Sequence, residues 1–420
     1  MAQDSSKIVQ LQELIEQATA NNNNIHLAKM DETIATAKYK ESQAFALPQA
    51  NFSYTGFTSN NPLNAFGFKL QQKAVTAADF NPTLLNDPSS IPNFMTQVQV
   101  QVPLLNLDMQ YMRKSAFMQT ALYQFKTQRT VEQITFQATQ AFLQLKMAYD
   151  AKKVLEEGLQ NMQSLYKFTN DRFQQGLLQK SDLLNIEVQI KNFETNIAEN
   201  KSAIANISDM ISVLTNKPTG NIYTIKASNT NSIYPHLTDS LPDQRADFKA
   251  MEAAIASYDM LIKSSRKSFL PRLNAFANYQ LHDKAMLGFG AGAYMAGIQL
   301  SWDIFKGNAT KNKIATQQLE KNKIAATLQN QKEENKIALL KTNRQYQDAN
   351  FKMDQQKTAI LQSKEAIRIL QNRYQQGLVN TIDVLMAQTQ LSQQQLGYAE
   401  AEFNKQLAFA YQQFLTATTK

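Results

Sequence analysis

The sequence predicts an α+β chain in which short amphipathic strands alternate with very long helices, the whole arrangement occurring twice. Three observations carry this reading. Proline is absent from 104–217 and from everything after 271, and both stretches are rich in Gln, Lys, Leu, Ala and Glu. These are good helix formers, uninterrupted by the residue that breaks helices. Four landmarks then recur in one order: FALPQANFSY (45–54) as FLPRLNAFANY (269–279), VQVQVPLLN (98–106) as IQLSWDIFK (298–306), RFQQGLL (172–178) as RYQQGLV (373–379), and SDLLN (181–185) as TIDVLMAQ (381–388). Such self-similarity marks a duplicated unit, here of about 200 residues. Finally, the segments after Pro48 and around Val98 alternate apolar and polar residues, the period of a strand with two unlike faces.

Each copy reads helix, strand, connection, strand, very long helix, tight turn, helix. The first repeat is expected at 1–216, a connecting segment at 217–242 and the second repeat at 243–420, with strands near 48–58, 94–105, 271–281 and 293–304. A helix over 7–44 opens the first copy and a shorter one over 243–269 the second. In the first strand Ala50, Phe52 and Tyr54 oppose Asn51, Ser53 and Thr55. The second strand places Val98, Val100 and Val102 against Gln97, Gln99 and Gln101, and the last places Tyr294, Ile298, Leu300 and Trp302 against Gln299 and Ser301. The first copy carries about 23 extra residues between its strands, read as a long Asn- and Pro-rich loop over 58–92 by the usual turn chemistry.

From 107 the period becomes helical. Ile134, Ala138, Ala141, Leu145, Ala148, Leu155, Leu159, Met162 and Tyr166 form a heptad seam. Helices over 107–172 and 308–373, of 66 residues each, would be about 99 Å long. Each ends at a glycine, Gly176 or Gly377, suited to a left-handed C-terminal position. Helices of 37 residues, 180–216 and 381–417, then return beside the long ones.

Composition removes whole classes of function. No cysteine is present, which excludes disulfides, thiolate metal sites and cysteine nucleophiles. The three histidines, His26, His236 and His282, are far apart and offer no zinc site. No Gly-rich phosphate loop, HExxH or His–Cys arrangement occurs, so neither an enzyme nor any cofactor or bound metal is expected. The net charge of +8 is spread along the chain with no basic run, which argues against a nucleic-acid partner. The 15 methionines are dispersed and read as core filling rather than a soft-metal path. The uncharged stretch 285–302 holds Gly288, Gly290, Gly292 and Gly297 and alternates in its second half, so it is not a membrane helix. MAQDSSK runs straight into a helical pattern with no signal peptide, so an exported protein would be represented by its mature form.

Strands of about ten residues match the length of a tilted membrane β-strand. Four cannot close a barrel, and an open edge in lipid leaves backbone groups unpaired. Two copies would supply eight strands and three copies twelve. The competing reading is a self-assembling coiled-coil scaffold with a soluble strand cap and no channel activity. Strands of membrane length in duplicate favour the first.

The element order, the paired tips RFQQGLLQKSDLL and RYQQGLVNTIDVLMAQ, the LP-then-strand openings and the segment QRADFKAMEAA (244–254) resemble the TolC-like outer-membrane efflux proteins. The resemblance covers nearly the whole chain. It implies a homotrimer: a 12-stranded β-barrel in the outer membrane of a Gram-negative bacterium, four strands per chain, continuous with a periplasmic α-helical coiled-coil barrel. It further implies an exit duct for efflux or secretion, with a periplasmic adaptor and an inner-membrane transporter as partners. Gly176, Leu177, Leu178, Gly377, Leu378 and Val379 then match the tip that meets the adaptor. Asp182 and Asp383, which by position also suit a helix N-terminus, match gate and pore-ring positions, and a Tyr–Asp hydrogen bond at the closed tip maps onto Tyr374 and Asp182. Two departures are visible: Met386 stands where a second ring Asp can occur, and Val379 where an Arg can help lock the tip. Phe52, Tyr54, Tyr279, Tyr294 and Trp302 fit membrane-interface girdles. Phe66 and Phe68, in the long first loop, would face the exterior or plug the mouth.

Overall fold

The computed structural model describes residues 7–225 and 238–418. Residues 226–237 of the connecting segment, His236 among them, fall outside the described residues. In chain order the first half contains β1 (Lys7–Val9), α1 (Leu11–Asn21), α2 (Asn23–Gln43), β2 (Gln49–Ser59), α3 (Pro62–Gln71), α4 (Pro82–Asn86), β3 (Ile91–Leu105), α5 (Leu107–Gln174) and α6 (Lys180–Leu214). There follow β4 (Tyr223–Ile225), α7 (Ala246–Lys267), β5 (Arg272–Asp283), β6 (Ala291–Ser301), α8 (Ala309–Gln375) and α9 (Thr381–Leu415). With 68 and 67 residues, α5 and α8 are each about 100 Å long. None of the described helices is long and apolar enough to cross a membrane.

The chain divides into two compact units. The first comprises the described residues within Met1–Glu32, Tyr123–Ala250 and Thr327–Lys420. Its core is the heptad seam: Ala138, Ala141, Leu145 and Met162 are fully buried, beside Leu14 and Ala18 of α1 and Ile186 and Ile211 of α6. Arg245 is also fully buried here. It donates to the Leu415 carbonyl at 2.8 Å, to Asn335 at 3.2 Å and through two nitrogens to Asp247 at 3.0 and 2.6 Å.

The expected helix over 7–44 is interrupted twice, for identifiable reasons. Residues 7–9 pair in parallel with 223–225, burying Val9 and Tyr223 in one cluster, so the chain begins as a strand. At Asn22 the backbone turns extended. Its side chain, instead of pointing to water, donates to the Leu214 carbonyl and accepts from the Asn24 amide. The asparagine thereby replaces helical bonds with local and tertiary ones.

The second unit comprises Thr33–Leu122 and Met251–Ala326 and holds an antiparallel sheet in the order β2-β3-β5-β6. Ser115 and Ser257 share a hydrogen bond at 2.8 Å, Ser264 donates to the Asp108 carbonyl at 2.7 Å, and Arg272 pairs with the Asp108 carboxylate. The register places Phe52 opposite Val98, Val98 opposite Tyr279, and Tyr279 opposite Tyr294, making one apolar face. Asn51, Gln99 and Asn278 line up on the other.

The segment 58–92 is not simply a loop. It contains α3, α4 and a 3-10 turn at Ala77–Phe80. Both helices start at an Asn-Pro pair: Asn61 accepts from the Asn64 amide and Asn81 from the Thr83 amide, with proline at the first helical position. Asn-Pro reads as a loop signal in sequence, yet it is equally an N-cap followed by the residue preorganised for a first turn. Phe66 and Phe68 pack within this cap: Phe66 lies edge-on to Phe80 at 5.7 Å and Phe68 stacks on Phe57 at 6.2 Å. Lys69 and Asp79 pair at 2.5 Å. Hydrogen bonds from Lys69 and from the Thr76 backbone and hydroxyl hold the Asp79 carboxyl down at about 2.

Candidate functional site

Two features could serve a function: the turns that end the long helices, and the two-faced sheet. At the first turn Gly176 has φ 73°, and at the second Gly377 has φ 74°. The Leu177 amide reaches back to the Arg172 carbonyl at 3.0 Å, and the Leu378 amide to the Arg373 carbonyl at 2.9 Å. Both are Schellman closures, in which the left-handed residue lets the chain reverse while satisfying terminal carbonyls. A Cβ at either glycine would meet open space, so φ alone dictates glycine. Leu177 and Leu378 are left exposed at 65 % and 61 %, with Leu178 and Val379 half-buried beside them. In both turns the apolar side chain that follows the glycine is presented outward.

Asp182 and Asp383 each lie in the first turn of the returning helix. Asp182 accepts from the Gln179 amide at 3.2 Å and Asp383 from the Asn380 amide at 3.0 Å. These bonds satisfy donors a helix start leaves orphaned, and the carboxylates complement the helix dipole.

The structure does not form the Tyr374–Asp182 hydrogen bond within this chain. Tyr374 is buried at 3 % exposure, and its hydroxyl bonds the hydroxyls of Thr169 at 2.8 Å and Thr381 at 3.0 Å. Two threonines thus meet the phenol, while Asp182 is engaged by its own helix start. Arg172 adds a second fastening. Its guanidinium donates to the Tyr374 and Gln375 carbonyls at the end of α8 and lies 4.8 Å from the Phe168 ring centroid. A cation at a helix C-terminus is favoured both by the dipole and by the unsatisfied carbonyls. Together Thr169, Arg172, Tyr374 and Thr381 tie α5, α8 and α9.

Sequence reasoning assigned no role to Thr169, Thr381 or Arg172. A signal existed for Thr169, which continues the seam three residues beyond Tyr166 and is a polar residue at a core position. Arg172 stood in the quoted motif, but its acceptor carbonyls come from another helix.

The sheet offers the second feature. Phe52, Tyr294, Ile298 and Leu300 are exposed by 65 % or more on the apolar face. On the opposite face Gln280 donates to Gln97 and Gln97 to Gln99, each at 3.2 Å. Among the described residues the outer edges of β2 and β6 have no strand partner. No group of three or more His, Asp or Glu able to hold a metal occurs among the described residues.

Comparison with known proteins bears on the fold and the family. The family model for outer membrane efflux proteins matches residues 14–216 and 237–415. No curated protein matches the sequence. Among solved structures the fold is similar to CusC, with a TM-score of 0.84 at 16 % identity over 99 % of this chain and 94 % of that one. It is similar to the CmeC outer membrane channel of Campylobacter jejuni, with a TM-score of 0.82 at 15 % identity over 97 % of this chain and 85 % of that one. It is also similar to the outer membrane protein VceC of Vibrio cholerae, with a TM-score of 0.80 at 15 % identity over 98 % of this chain and 97 % of that one. At such identities the structural likeness speaks for the α+β fold, while the family match spans most of the sequence. The chain belongs to the outer membrane efflux protein family.

Proposed function

We propose that three copies of this chain form an exit duct across the outer membrane of a Gram-negative bacterium, a 12-stranded barrel continuous with a helical tunnel. The observation that carries this is the four-stranded sheet: apolar on one face, polar and nearly uncharged on the other, and without a strand partner at either edge among the described residues. Each unpaired backbone group costs several kcal/mol in hydrocarbon, so such a sheet enters lipid only when other copies complete the ring. The exposed apolar residues along α8, Ile337, Phe351, Leu361 and Ile369, give the helices a comparable reason to associate.

The chain is two related halves, each contributing two strands, one long helix and one returning helix. The duct opens at the helix tips, where the carboxylates of Asp182 and Asp383 form the constriction and Tyr374, expected there from the family resemblance, instead lies buried against Thr169 and Thr381 and fastens the helices that carry it. Three copies arrange those carboxylates in rings that favour cations. The turns at Gly176, Leu177 and Leu178 and at Gly377, Leu378 and Val379 are the docking surface for a periplasmic adaptor, which links the duct to an inner-membrane transporter. Val379 and Met386 supply no charge at positions where charge would tighten the lock or the ring. The duct performs no chemistry of its own.

The test is conductance. Purified protein in a planar bilayer should give discrete steps of uniform size, and Asp383→Ala should lower cation selectivity and cation blockade. Protein that inserts but never conducts, in the wild type and in tip variants alike, would overturn the duct. Unchanged selectivity in Asp383→Ala would overturn the ring assignment alone.

A further inference from the structure

The strands β2, β3, β5 and β6 contain only two formal charges, Arg272 and Asp283, at opposite ends of β5. Both are neutralised or held locally. Arg272 pairs with Asp108, and the Asp283 carboxylate accepts from the Ala285 amide at 2.9 Å and the Gly290 amide at 3.0 Å. Between them the polar face is mostly carboxamide, Asn51, Gln97, Gln99, Asn278, Gln280 and Gln299 among them, interrupted by the uncharged side chains of Phe276 and Met295. They bond one another in sequence, Gln280 to Gln97 and Gln97 to Gln99.

We propose that this face gives the exit barrel a charge-neutral carboxamide lining that passes cationic and anionic solutes alike, so that the barrel sorts cargo by size and hydrogen bonding and not by charge. The inference rests on the reading of the sheet as part of a barrel and leaves selection by charge to the tip rings, the barrel itself admitting zwitterionic or singly charged hydrogen-bonding solutes of either sign. Distance supports it. Asn278 lies six residues from Arg272 and five from Asp283, roughly 20 Å and 17 Å along the strand. The screening length is about 10 Å at 0.1 M salt, so neither end charge reaches the middle of the wall. A carboxamide both donates and accepts, and therefore replaces part of the hydration of an anion or a cation without preferring one. At pH 8 an imidazole carries no charge, so His282, the one in these strands, adds none to the wall.

The absence of cysteine makes the test direct. Gln99→Cys, its cross-strand neighbour Asn278→Cys, and Val98→Cys on the apolar face are made in the full chain and placed in lipid vesicles at pH 8 and about 0.1 M salt. Each is reacted with a cationic and an anionic methanethiosulfonate of similar size. The two rates are divided by those of a free thiol in solution. Gln99→Cys and Asn278→Cys should react with both reagents, with a normalised ratio within about twofold of one, and Val98→Cys with neither. Adding Gln99→Glu to Asn278→Cys should move the ratio several-fold toward the cation, showing that the assay reads wall charge. A tenfold preference for either reagent without that glutamate overturns the neutral lining while leaving the barrel standing. Reaction at Val98→Cys, or none at Gln99→Cys and Asn278→Cys, overturns the barrel reading itself.

Discussion

Replacing Tyr374 by Phe removes one oxygen from the tip and little else. The ring keeps its packing, tilted against Phe168 at 5.6 Å, and the backbone carbonyl still accepts from Arg172. What disappears is a hydroxyl bonded to Thr169 on α5 and Thr381 on α9. A neutral buried hydrogen bond contributes about 1 kcal/mol net, so the pair holds the three helices by about 2 kcal/mol per chain. Thr169, left behind inside its helix, can turn to the carbonyl of the preceding turn, which keeps the loss near this lower value. If opening separates these helices, the closed-to-open ratio at each tip falls about 30-fold, since 1.4 kcal/mol is a factor of ten. Thr169→Val deletes one bond at nearly constant volume and should give about a fivefold change from about 1 kcal/mol. Single-channel recording measures both. Open probability should rise in the order wild type, Thr169→Val, Tyr374→Phe, with unit conductance unchanged. Equal open probability in all three, with the protein still folded, would mean that the tyrosine hydroxyl packs the tip and does not hold it shut.

Other consequences concern stability. Arg245→Met strips the half-buried carboxylate of Asp247 of two of its hydrogen bonds, leaving the one from the Phe248 amide, and releases the Leu415 carbonyl. Hydrogen bonds to a charged group contribute about 1.5–3 kcal/mol, and the carboxylate left behind keeps Arg129 at 3.7 Å, so a thermal melt in detergent should show a drop of that order. Burial raises the Asp247 carboxyl, but hydrogen bonds from Arg245 and the charges of Arg129 and Arg245 outweigh it and hold it below its usual range. A carboxyl lowered on folding stabilises above the unfolded value and loses that contribution as pH falls through the folded one. Melting temperatures should therefore decline below about pH 4 in the wild type and less steeply in Asp247→Asn. Gly176→Ala or Gly377→Ala forces a side chain into left-handed backbone and should cost about 1–2 kcal/mol each, read as faster proteolysis at the turn. The wild-type susceptibility in both variants would show the turn to be slack.

What the sequence disclosed is what local periodicity encodes. The parity of Val98, Val100 and Val102 against Gln97, Gln99 and Gln101 shows the sheet's two faces because alternate side chains of a strand must point oppositely. Ala138, Ala141 and Leu145 disclose the core of α5 because their spacing returns to one face of a helix. What stayed hidden depends on partners distant in sequence or on signals with two meanings. Asn22 breaks a helix by bonding a carbonyl 192 residues away. Tyr374 finds Thr169 across 205 residues, and no spacing rule says that it prefers two threonines to an aspartate. Asn61-Pro62 and Asn81-Pro82 each start a helix in a segment that composition reads as loop.

The central claim, that the unpaired sheet edges are completed by other copies in lipid, is tested most directly by the native mass of the protein extracted from membranes, with and without detergent. The account predicts three chains per particle, precipitating when detergent is withdrawn. A monomer or dimer that stays dispersed without detergent would contradict it, since the edges of β2 and β6 would then be tolerated in water with no ring to close.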